Sequence, residues 1–252
     1  MVYKFSKEII KKNFDSAALN YSNYSSIQKY FSKRIVDLIK KLEVPKGDWY
    51  DLGCGTGFLA DQIEEEFYKK NVIRIDFSEK MLIKNKANSR KLLWDLNKDL
   101  PLSKQKVSLL VSNFCLHWLS EPKLRLKNWF NQLVPGGYLI VSLPTNKCFP
   151  EWKSTCKKKH IEYSGVSFPD NNELIDIFSK NEIIVLDIVT YKEKFDNVFD
   201  IFRNFINMGA QYTPLKRKTV RELRLMQNYW LRDINHKVTL TWEISILILK
   251  KI

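Results

Sequence analysis

Hydrophobic positions along the chain fall into two kinds of pattern. Through residues 6–42, apolar side chains recur every three to four positions, and a polar, tyrosine-rich joint at 20–26 interrupts them, which predicts two N-terminal helical segments. From residue 46 onward, short apolar runs of strand length alternate with segments of helical spacing. The runs predict strands near 49–52, 72–76, 91–96, 107–113, 138–143, 183–191 and 238–249.

The order of these elements predicts an α/β fold. Strands alternating with helices favour an open, mostly parallel sheet with helices on both faces, because parallel strands need long crossover connections. We therefore predict a seven-stranded sheet in a single domain over 1–252. Its expected parts are an N-terminal helical cap (1–45), a cofactor-binding half (46–144) and a substrate half (145–252).

The connection between the last two predicted strands is unusually long. It spans about 45 residues and carries two amphipathic segments, 198–208 and 219–231. A hairpin needs only a few residues, and long insertions often cover a site. We expect the helical insertion at 195–236 to act as a lid.

A glycine-rich turn gives the first indication of chemistry. Residues 51–57 read Asp-Leu-Gly-Cys-Gly-Thr-Gly between a predicted strand and a predicted helix. Such a turn lets the backbone approach a ligand closely, and its spacing differs from the Gly-x-Gly-x-x-Gly of dinucleotide sites. A turn alone can be a tight connection and nothing more. However, Asp76 ends the second strand nineteen residues after Gly57, where a carboxylate commonly meets ribose hydroxyls. Together these features predict a bound nucleoside-type cofactor.

This motif resembles motif I of the class I S-adenosylmethionine-dependent methyltransferases. The resemblance implies a Rossmann-like fold and S-adenosyl-L-methionine as methyl donor. It implies that the turn wraps the methionine part, with Asp51 near the ammonium group, Asp76 on the ribose and Asp95 on the adenine amino group. Asp95 and Asn113 are also explained as ordinary turn or cap residues. The expected cofactor-binding residues are Gln28, Asp51, Gly53, Cys54, Gly55, Gly57, Asp76, Phe77, Met81, Asp95, Leu96, Asn113 and Leu116.

Further segments carry a narrower resemblance. Residues 14–21 with Gln28, 112–118, 168–170 and 202–210 are similar to the enzymes that methylate malonyl-acyl carrier protein to start biotin synthesis, the BioC family. His117 replaces the usual glutamine of that family's Ser-Asn-x-x-x-Gln-Trp segment, and Gln211-Tyr212 departs from the usual ending of its insertion segment. The resemblance implies O-methylation of the free malonyl carboxylate.

Two residues are candidates for a catalytic role in that reaction. Tyr21 is expected near the transferred methyl group, where it would orient the reactants, and its alternative is packing at the helix joint. Arg203 would hold a malonyl oxygen through charge-assisted hydrogen bonds, and its alternative is a solvated position on a helix face. His117 is more consistent with a wall residue than with a general base.

The net charge of +14 and the sequence pI of about 9.5 favour an acidic partner. Lysine-rich compositional drift explains the charge equally simply. The resemblance points to acyl carrier protein, which is acidic, as the partner of a basic edge in the insertion. The candidate docking residues, opposed only by Glu222, are Lys216, Arg217, Lys218, Arg221 and Arg224. The same set also fits a solvated helix.

Other classes are disfavoured by what the sequence lacks. No apolar run approaches the ~20 residues of a membrane span, and the first residues lack a signal-peptide core, so we expect a cytoplasmic protein. The four cysteines form no Cys-x-x-Cys pair, and no metal site is expected. Alternatives that stay open are a methyltransferase acting on a small carboxylic acid, a quinone precursor or tRNA, and a cofactor-binding assembly factor without catalysis. No RNA-binding motif is present, which makes nucleic acid the weaker alternative.

Overall fold

The computed structural model describes residues 6–101, 106–213 and 218–252. The helices are α1 (Lys7–Ala17), α2 (Tyr21–Tyr24), α3 (Ser26–Ile39), α4 (Phe58–Glu66), α5 (Glu79–Ile83), α6 (Pro122–Asn131), α7 (Pro150–Lys158), α8 (Asn171–Ile175), α9 (Val198–Asn207) and α10 (Val220–Tyr229). The strands are β1 (Asp48–Leu52), β2 (Ile73–Asp76), β3 (Lys91–Leu93), β4 (Val107–Asn113), β5 (Leu133–Pro144), β6 (Ile183–Phe195) and β7 (Val238–Lys250). A short 3₁₀ turn covers Leu116–Trp118.

The seven strands form one sheet in the order β3-β2-β1-β4-β5-β7-β6. The strands from β3 to β5 pair in parallel, whereas β7 runs antiparallel to both β5 and β6. The strand order reverses direction between β1 and β4, and the carboxyl ends of these two neighbouring strands form the crevice where open α/β sheets bind ligands. The predicted α/β fold with a mostly parallel sheet is confirmed.

Two separate hydrophobic cores lie on the two faces of the sheet. On one face, Trp49 and Leu109 pack in a cluster with α3 and α4, and on the other, Tyr50 and Leu110 pack in a cluster with α6. Neighbouring residues of a strand point to opposite faces, so a strand covered on both sides must be apolar throughout. β4 follows this rule, since its first six residues are buried. Helices therefore cover both faces, as predicted.

Several elements end earlier than the sequence predicted. β3 ends at Leu93, so Asp95 and Leu96 lie in the loop after the strand. There the Asp95 carboxylate accepts a hydrogen bond from the Asn97 backbone amide at 3.0 Å, a local turn that competes with strand pairing. The sequence also predicts helices over 151–163 and 171–180, but α7 ends at Lys158 and α8 at Ile175.

The N-terminal helices pack against the insertion. α1 lies against α5 and α9. Gly209, which follows α9 with a φ of +74°, touches the α1 backbone so closely that a Cβ there would lie 2.9 Å from the carbonyl oxygen of Asn13. This contact places the predicted cap beside the predicted lid. The division of the domain at residues 45 and 144 stays a prediction.

None of the helices in the described parts of the chain has the length and apolar character that a bilayer crossing requires.

Candidate functional site

The three glycines of the turn between β1 and α4 have different surroundings. A Cβ on Gly53 would lie 2.3 Å from the Cys115 sulfur, and one on Gly57 would lie 2.1 Å from Oδ1 of Asn85. A Cβ on Gly55 would meet nothing nearer than a ring carbon of Tyr21, at 3.9 Å. The outer two glycines are therefore required by packing behind the turn. Gly55 alone leaves open space in front of it.

Both backbone groups of Gly55 are held by side chains. The Gly55 amide donates to Oδ2 of Asp76 at 2.8 Å, and Nδ2 of Asn85 donates to the Gly55 carbonyl oxygen at 2.9 Å. The other oxygen of Asp76 accepts from the Ser78 amide at 2.8 Å, which starts α5. The turn is thus fixed from both sides before any ligand binds.

A buried guanidinium supports this arrangement from behind. Arg74, in the middle of β2, is fully buried and lies 2.7 Å from an Asp61 carboxylate oxygen and 2.6 Å from one of Glu64. Its Nη1 donates to Oδ1 of Asn85 at 3.2 Å. Neither Arg74 nor Asn85 is among the site residues predicted from the sequence. An arginine inside an otherwise apolar strand was the available signal, because a buried charge requires partners.

Asp51 is buried next to the turn, and its Oδ2 accepts no hydrogen bond within the described parts of the chain. Burial raises the pKa of Asp51 to about 7, against the lowering effects of Arg74 and the Ala60 backbone amide. Burial likewise raises the pKa of Asp76 to about 6, although three backbone hydrogen bonds oppose it. Two carboxylates with raised pKa values beside one turn are typical of a functional site.

A cavity, here named the glycine-turn cavity, opens in front of Gly55. The predicted residues that line it are Tyr21, Gly53, Gly55, Asp76, Phe77, Met81, Asp95 and Leu96. The α1 side chains Lys7, Ile10 and Phe14 close its outer side. The predicted residues absent from its lining are Gln28, Asp51, Cys54, Gly57, Asn113 and Leu116. Asp95 is already engaged, because Nζ of Lys7 lies 2.6 Å from its carboxylate.

A second and larger cavity of about 490 Å³ adjoins the first. Aromatic rings from the N-terminal helices, the 3₁₀ turn, α7, α9 and β7 form most of its wall, so we name it the aromatic cavity. Gln28 lines this cavity and not the first. Of the described residues in its lining, Lys218 alone carries a formal positive charge.

Four residues line both cavities. Phe14 comes from α1, Tyr21 from α2, and Phe114 and Trp118 from the segment after β4. We name this boundary the aromatic septum. The Phe14 and Trp118 rings meet edge to face with centroids 5.6 Å apart. A group that passes from one cavity to the other must pass these rings.

Asn113 acts behind the aromatic cavity. Its Nδ2 donates to the Gln28 carbonyl oxygen at 2.9 Å and to the Ser32 hydroxyl at 3.0 Å, and its Oδ1 accepts from the Ser142 hydroxyl. Asn113 therefore ties β4 and β5 to α3 and sets the position of Gln28 in the cavity wall.

His117 and Tyr21 carry no charge at neutral pH. Burial lowers the pKa of His117 to about 3, and its ring packs against Trp118 and Phe168 with centroids 5.1 and 5.3 Å away. Burial and the nearby Asp76 carboxylate raise the pKa of Tyr21 far above its ordinary value. The His117 imidazole is therefore a weak base, and the Tyr21 hydroxyl keeps its proton.

Arg203 lies outside both cavities. Its side chain is 68% exposed and pairs with Asp200 at 2.6 Å. α9 instead presents Phe202, Phe205 and Ile206 to the aromatic cavity.

The structure describes three of the five candidate docking residues. Lys216 and Arg217 fall outside the described residues. The Lys218 side chain is 9% exposed, with Nζ at the Glu162 carbonyl oxygen and 3.7 Å from the Glu222 carboxylate. Arg221 and Arg224 are exposed on α10.

Comparisons with known proteins agree with this geometry. Residues 50–141, which include the glycine turn and strands β2–β4, match the family model described as "Methyltransferase domain". The fold is similar to the YcgJ protein of Bacillus subtilis, with a TM-score of 0.60, 14% identity, and coverage of 88% of this chain and 99% of the other. It is also similar to an S-adenosylmethionine-dependent methyltransferase of Thermotoga maritima, with a TM-score of 0.54, 16% identity, and coverage of 96% and 100%.

The chain carries a methyltransferase domain over residues 50–141, and its fold is similar to that of the class I S-adenosylmethionine-dependent methyltransferases. The chain is 24% identical to "Malonyl-[acyl-carrier protein] O-methyltransferase 2" of Coxiella burnetii over 98% of its own length and 97% of that relative. It is 23% identical to a malonyl-[acyl-carrier protein] O-methyltransferase of Bacillus cereus over 81% of each chain.

The lining of the glycine-turn cavity suits S-adenosylmethionine. The space beside Gly55 admits a ligand against the backbone, and the Asp76 carboxylate lines the same cavity. Phe77, Met81 and Leu96 supply an apolar wall suited to an aromatic base. Within the described residues, no group of three or more His, Cys, Asp or Glu side chains is arranged to hold a metal ion.

Proposed function

We propose that the protein transfers a methyl group from S-adenosylmethionine to the free carboxylate of malonyl-acyl carrier protein, the entry step of biotin synthesis. The observation that carries this assignment is the similarity to a relative of that name over nearly the whole length of both chains. The similarity includes the N-terminal helices and the insertion, which form the aromatic cavity. An acceptor is therefore expected in that cavity.

The two adjoining cavities suit a transfer between two bound molecules. The donor side consists of Gly55, Asp76 and the apolar wall, and the acceptor side is the aromatic cavity. Tyr21 belongs to both, so it is the proposed orienting residue at the point of transfer. Gln28, predicted as a cofactor contact, is proposed instead as an acceptor contact.

When bound, S-adenosylmethionine supplies an electrophilic methyl group on a positively charged sulfur. The malonyl carboxylate is already ionised near neutral pH, so the protein needs no general base. Tyr21 keeps its proton and His117 is a weak base, which agrees with this requirement. The contribution of the chain is orientation, which can lower a barrier by roughly 7–11 kcal/mol, and exclusion of water by the aromatic walls.

The proposed partner contacts begin at the wall of the aromatic cavity. Lys218 lines the cavity, and Arg221 and Arg224 continue from it along the exposed face of α10. An acidic carrier protein bound to this face would present its acyl group next to the cavity. Arg203, on the exposed side of α9, is better placed for contact with the carrier than with a malonyl oxygen.

Reversing the two exposed arginines tests this surface. We expect the Arg221→Glu/Arg224→Glu double variant to raise the KM for the carrier substrate at least tenfold at low salt, because the attraction becomes repulsion. The affinity for S-adenosylmethionine should not change. The matched control reverses the exposed Lys41 and Lys69 to Glu, with the same change in net charge at other surfaces. Equal effects of both double variants on KM would remove the docking claim.

A second acceptor class is favoured by one observation. Most of the aromatic cavity consists of rings, and flat aromatic acids or quinone precursors stack well on such walls. Aromatic acids and quinone precursors are therefore the alternative acceptors to test.

The deciding experiment offers a panel of acceptors to the purified protein with S-adenosylmethionine. Malonyl-carrier protein should gain the mass of one methylene group in intact-mass spectrometry, because a methyl group takes the place of the carboxyl proton. Acetyl-carrier protein, which lacks the free carboxylate, is the matched control and should not change. Methylation of an aromatic acid with none of malonyl-carrier protein would overturn the substrate assignment and keep the enzyme class.

A further inference from the structure

The boundary between the two cavities is aromatic on every element that contributes to it. Phe14, Tyr21, Phe114 and Trp118 come from two helices and the segment after β4, and they are the residues common to both linings. A boundary that only separated two ligands could be made of any apolar side chains. Four rings at this one place call for a reason specific to rings.

The electrostatic surroundings of the aromatic septum are negative. The Asp76 carboxylate lines the glycine-turn cavity and acts on Tyr21, and both Asp76 and Asp51 act on Cys115 next to Phe114. The nearby Lys7 ammonium is paired with Asp95 at 2.6 Å. Among the described residues, one lysine lines each cavity, Lys7 the first and Lys218 the second, and neither belongs to the septum. Such surroundings favour a cation at the septum.

We propose that the aromatic septum is a cation-binding subsite that holds the positively charged sulfonium of the methyl donor against its rings. Aromatic faces attract cations through the ring quadrupole, and this attraction strengthens when water is excluded. The septum then orients the methyl group toward the aromatic cavity without a hydrogen bond. A sulfonium has no N–H or O–H to donate, so rings are a suitable partner.

The subsite distinguishes the methyl donor from its product. S-adenosylhomocysteine has nearly the same shape as the donor but a neutral sulfur, so it loses the attraction to the rings. The septum therefore favours binding of the donor and release of the demethylated product. This inference concerns the donor side only, and it holds for any acceptor.

The test measures the dissociation constants of both ligands by titration calorimetry and compares their ratio. In Phe14→Leu, an apolar side chain replaces a ring without adding polarity. We expect the preference for S-adenosylmethionine over S-adenosylhomocysteine to fall about tenfold, the size of one desolvated cation–π contact. Tyr21→Leu should act in the same direction, whereas Tyr21→Phe, which keeps the ring, should leave the ratio unchanged.

Two aromatic residues outside the septum provide matched controls. Phe77 lines only the glycine-turn cavity, and Phe168 lines only the aromatic cavity. Phe77→Leu should weaken both ligands by a similar factor, and Phe168→Leu should affect neither ratio nor fold. Circular dichroism confirms that each variant is folded. A ratio that stays constant in folded Phe14→Leu and Tyr21→Leu, or that falls equally in the controls, overturns the proposal.

Discussion

Alanine substitutions at the three glycines of the turn should have two different outcomes. All three glycines have positive φ angles, +75° at Gly53, +53° at Gly55 and +88° at Gly57, so each alanine pays a backbone cost of about 1–2 kcal/mol. The rest of the cost depends on what the new Cβ meets. At Gly55 it meets open space, and at Gly53 and Gly57 it meets atoms that are packed in place.

The cost at Gly57 follows from the side chain that must move. Asn85 makes three hydrogen bonds, to Gly55, Met81 and Arg74, and displacing it sacrifices roughly 1 kcal/mol for each. Gly57→Ala should therefore lose about 4–5 kcal/mol of stability, and Gly55→Ala about 1–2 kcal/mol. In a chain of this size each kcal/mol lowers Tm by ~2–4 °C, so Gly57→Ala should melt about 10 °C or more below wild type.

In cofactor binding, Gly55→Ala should be the informative variant. Gly55→Ala stays folded, but its methyl group occupies the space beside the turn, and we expect S-adenosylhomocysteine affinity to fall more than tenfold. Thermal melts by circular dichroism and calorimetric titrations at 15 °C, where all variants are folded, measure the two effects. If Gly57→Ala proves as stable as Gly55→Ala, or if Gly55→Ala binds normally, the assignment of different roles to the three glycines is wrong.

Three further predictions concern single side chains. Asp51 has a folded pKa of about 7 against an ordinary 3.8, so between these values the folded protein holds a proton that the unfolded chain has lost, and the free energy of unfolding falls as pH rises. Asp51→Asn removes this pH-dependent loss of stability. In urea titrations we therefore expect its free energy of unfolding to exceed that of the wild type by up to about 4 kcal/mol near pH 8 and to match it near pH 4. A difference that does not depend on pH would contradict the pKa shift. Asn85→Ala releases the Gly55 carbonyl oxygen, so in this variant donor binding must itself order the turn, and we expect the KM for the donor to rise about tenfold with a smaller change in kcat. Asn85→Asp, which keeps the shape but loses the N–H group that donates to Gly55, should act in the same way. His117→Gln should keep the pH–rate profile of the wild type, since a residue with a pKa of about 3 does not titrate near neutrality; loss of an inflection near pH 6–7 would show that the imidazole takes part in catalysis.

The fold was predictable because its signals are local. Strands buried on both faces are short, continuous apolar runs, and β4 and β5 could be recognised for that reason. The turn at 51–57 and the acid at Asp76 are set by spacing along the chain, so both could be found without a structure. The strand predicted near 91–96 is too long, because a side-chain hydrogen bond of Asp95 forms a local turn just after β3.

The orientation of Arg203 was also available from the sequence. Phe202, Phe205 and Ile206 follow the i, i+3, i+4 spacing of one helix face, and that face lines the aromatic cavity. Arg203 follows Phe202 directly, so it points away from this face. Similarity to a family segment suggests a role for Arg203, but helix geometry determines where its side chain points.

The support behind the turn could not be predicted from spacing. The contacts of Arg74 join α4, β2 and the end of α5, and those of Asn113 join α3, β4 and β5. Such networks depend on which elements meet in three dimensions. The same holds for the aromatic septum, whose four rings come from separate parts of the chain.

The location of bound cofactor tests the central claim most directly. A crystal structure of the protein with S-adenosylhomocysteine should show the ligand in the glycine-turn cavity, with its methionine part against Gly55, its ribose at Asp76 and its sulfur facing Tyr21 and Phe14. Ligand density in any other part of the protein, or its absence at saturating concentration, would contradict the account.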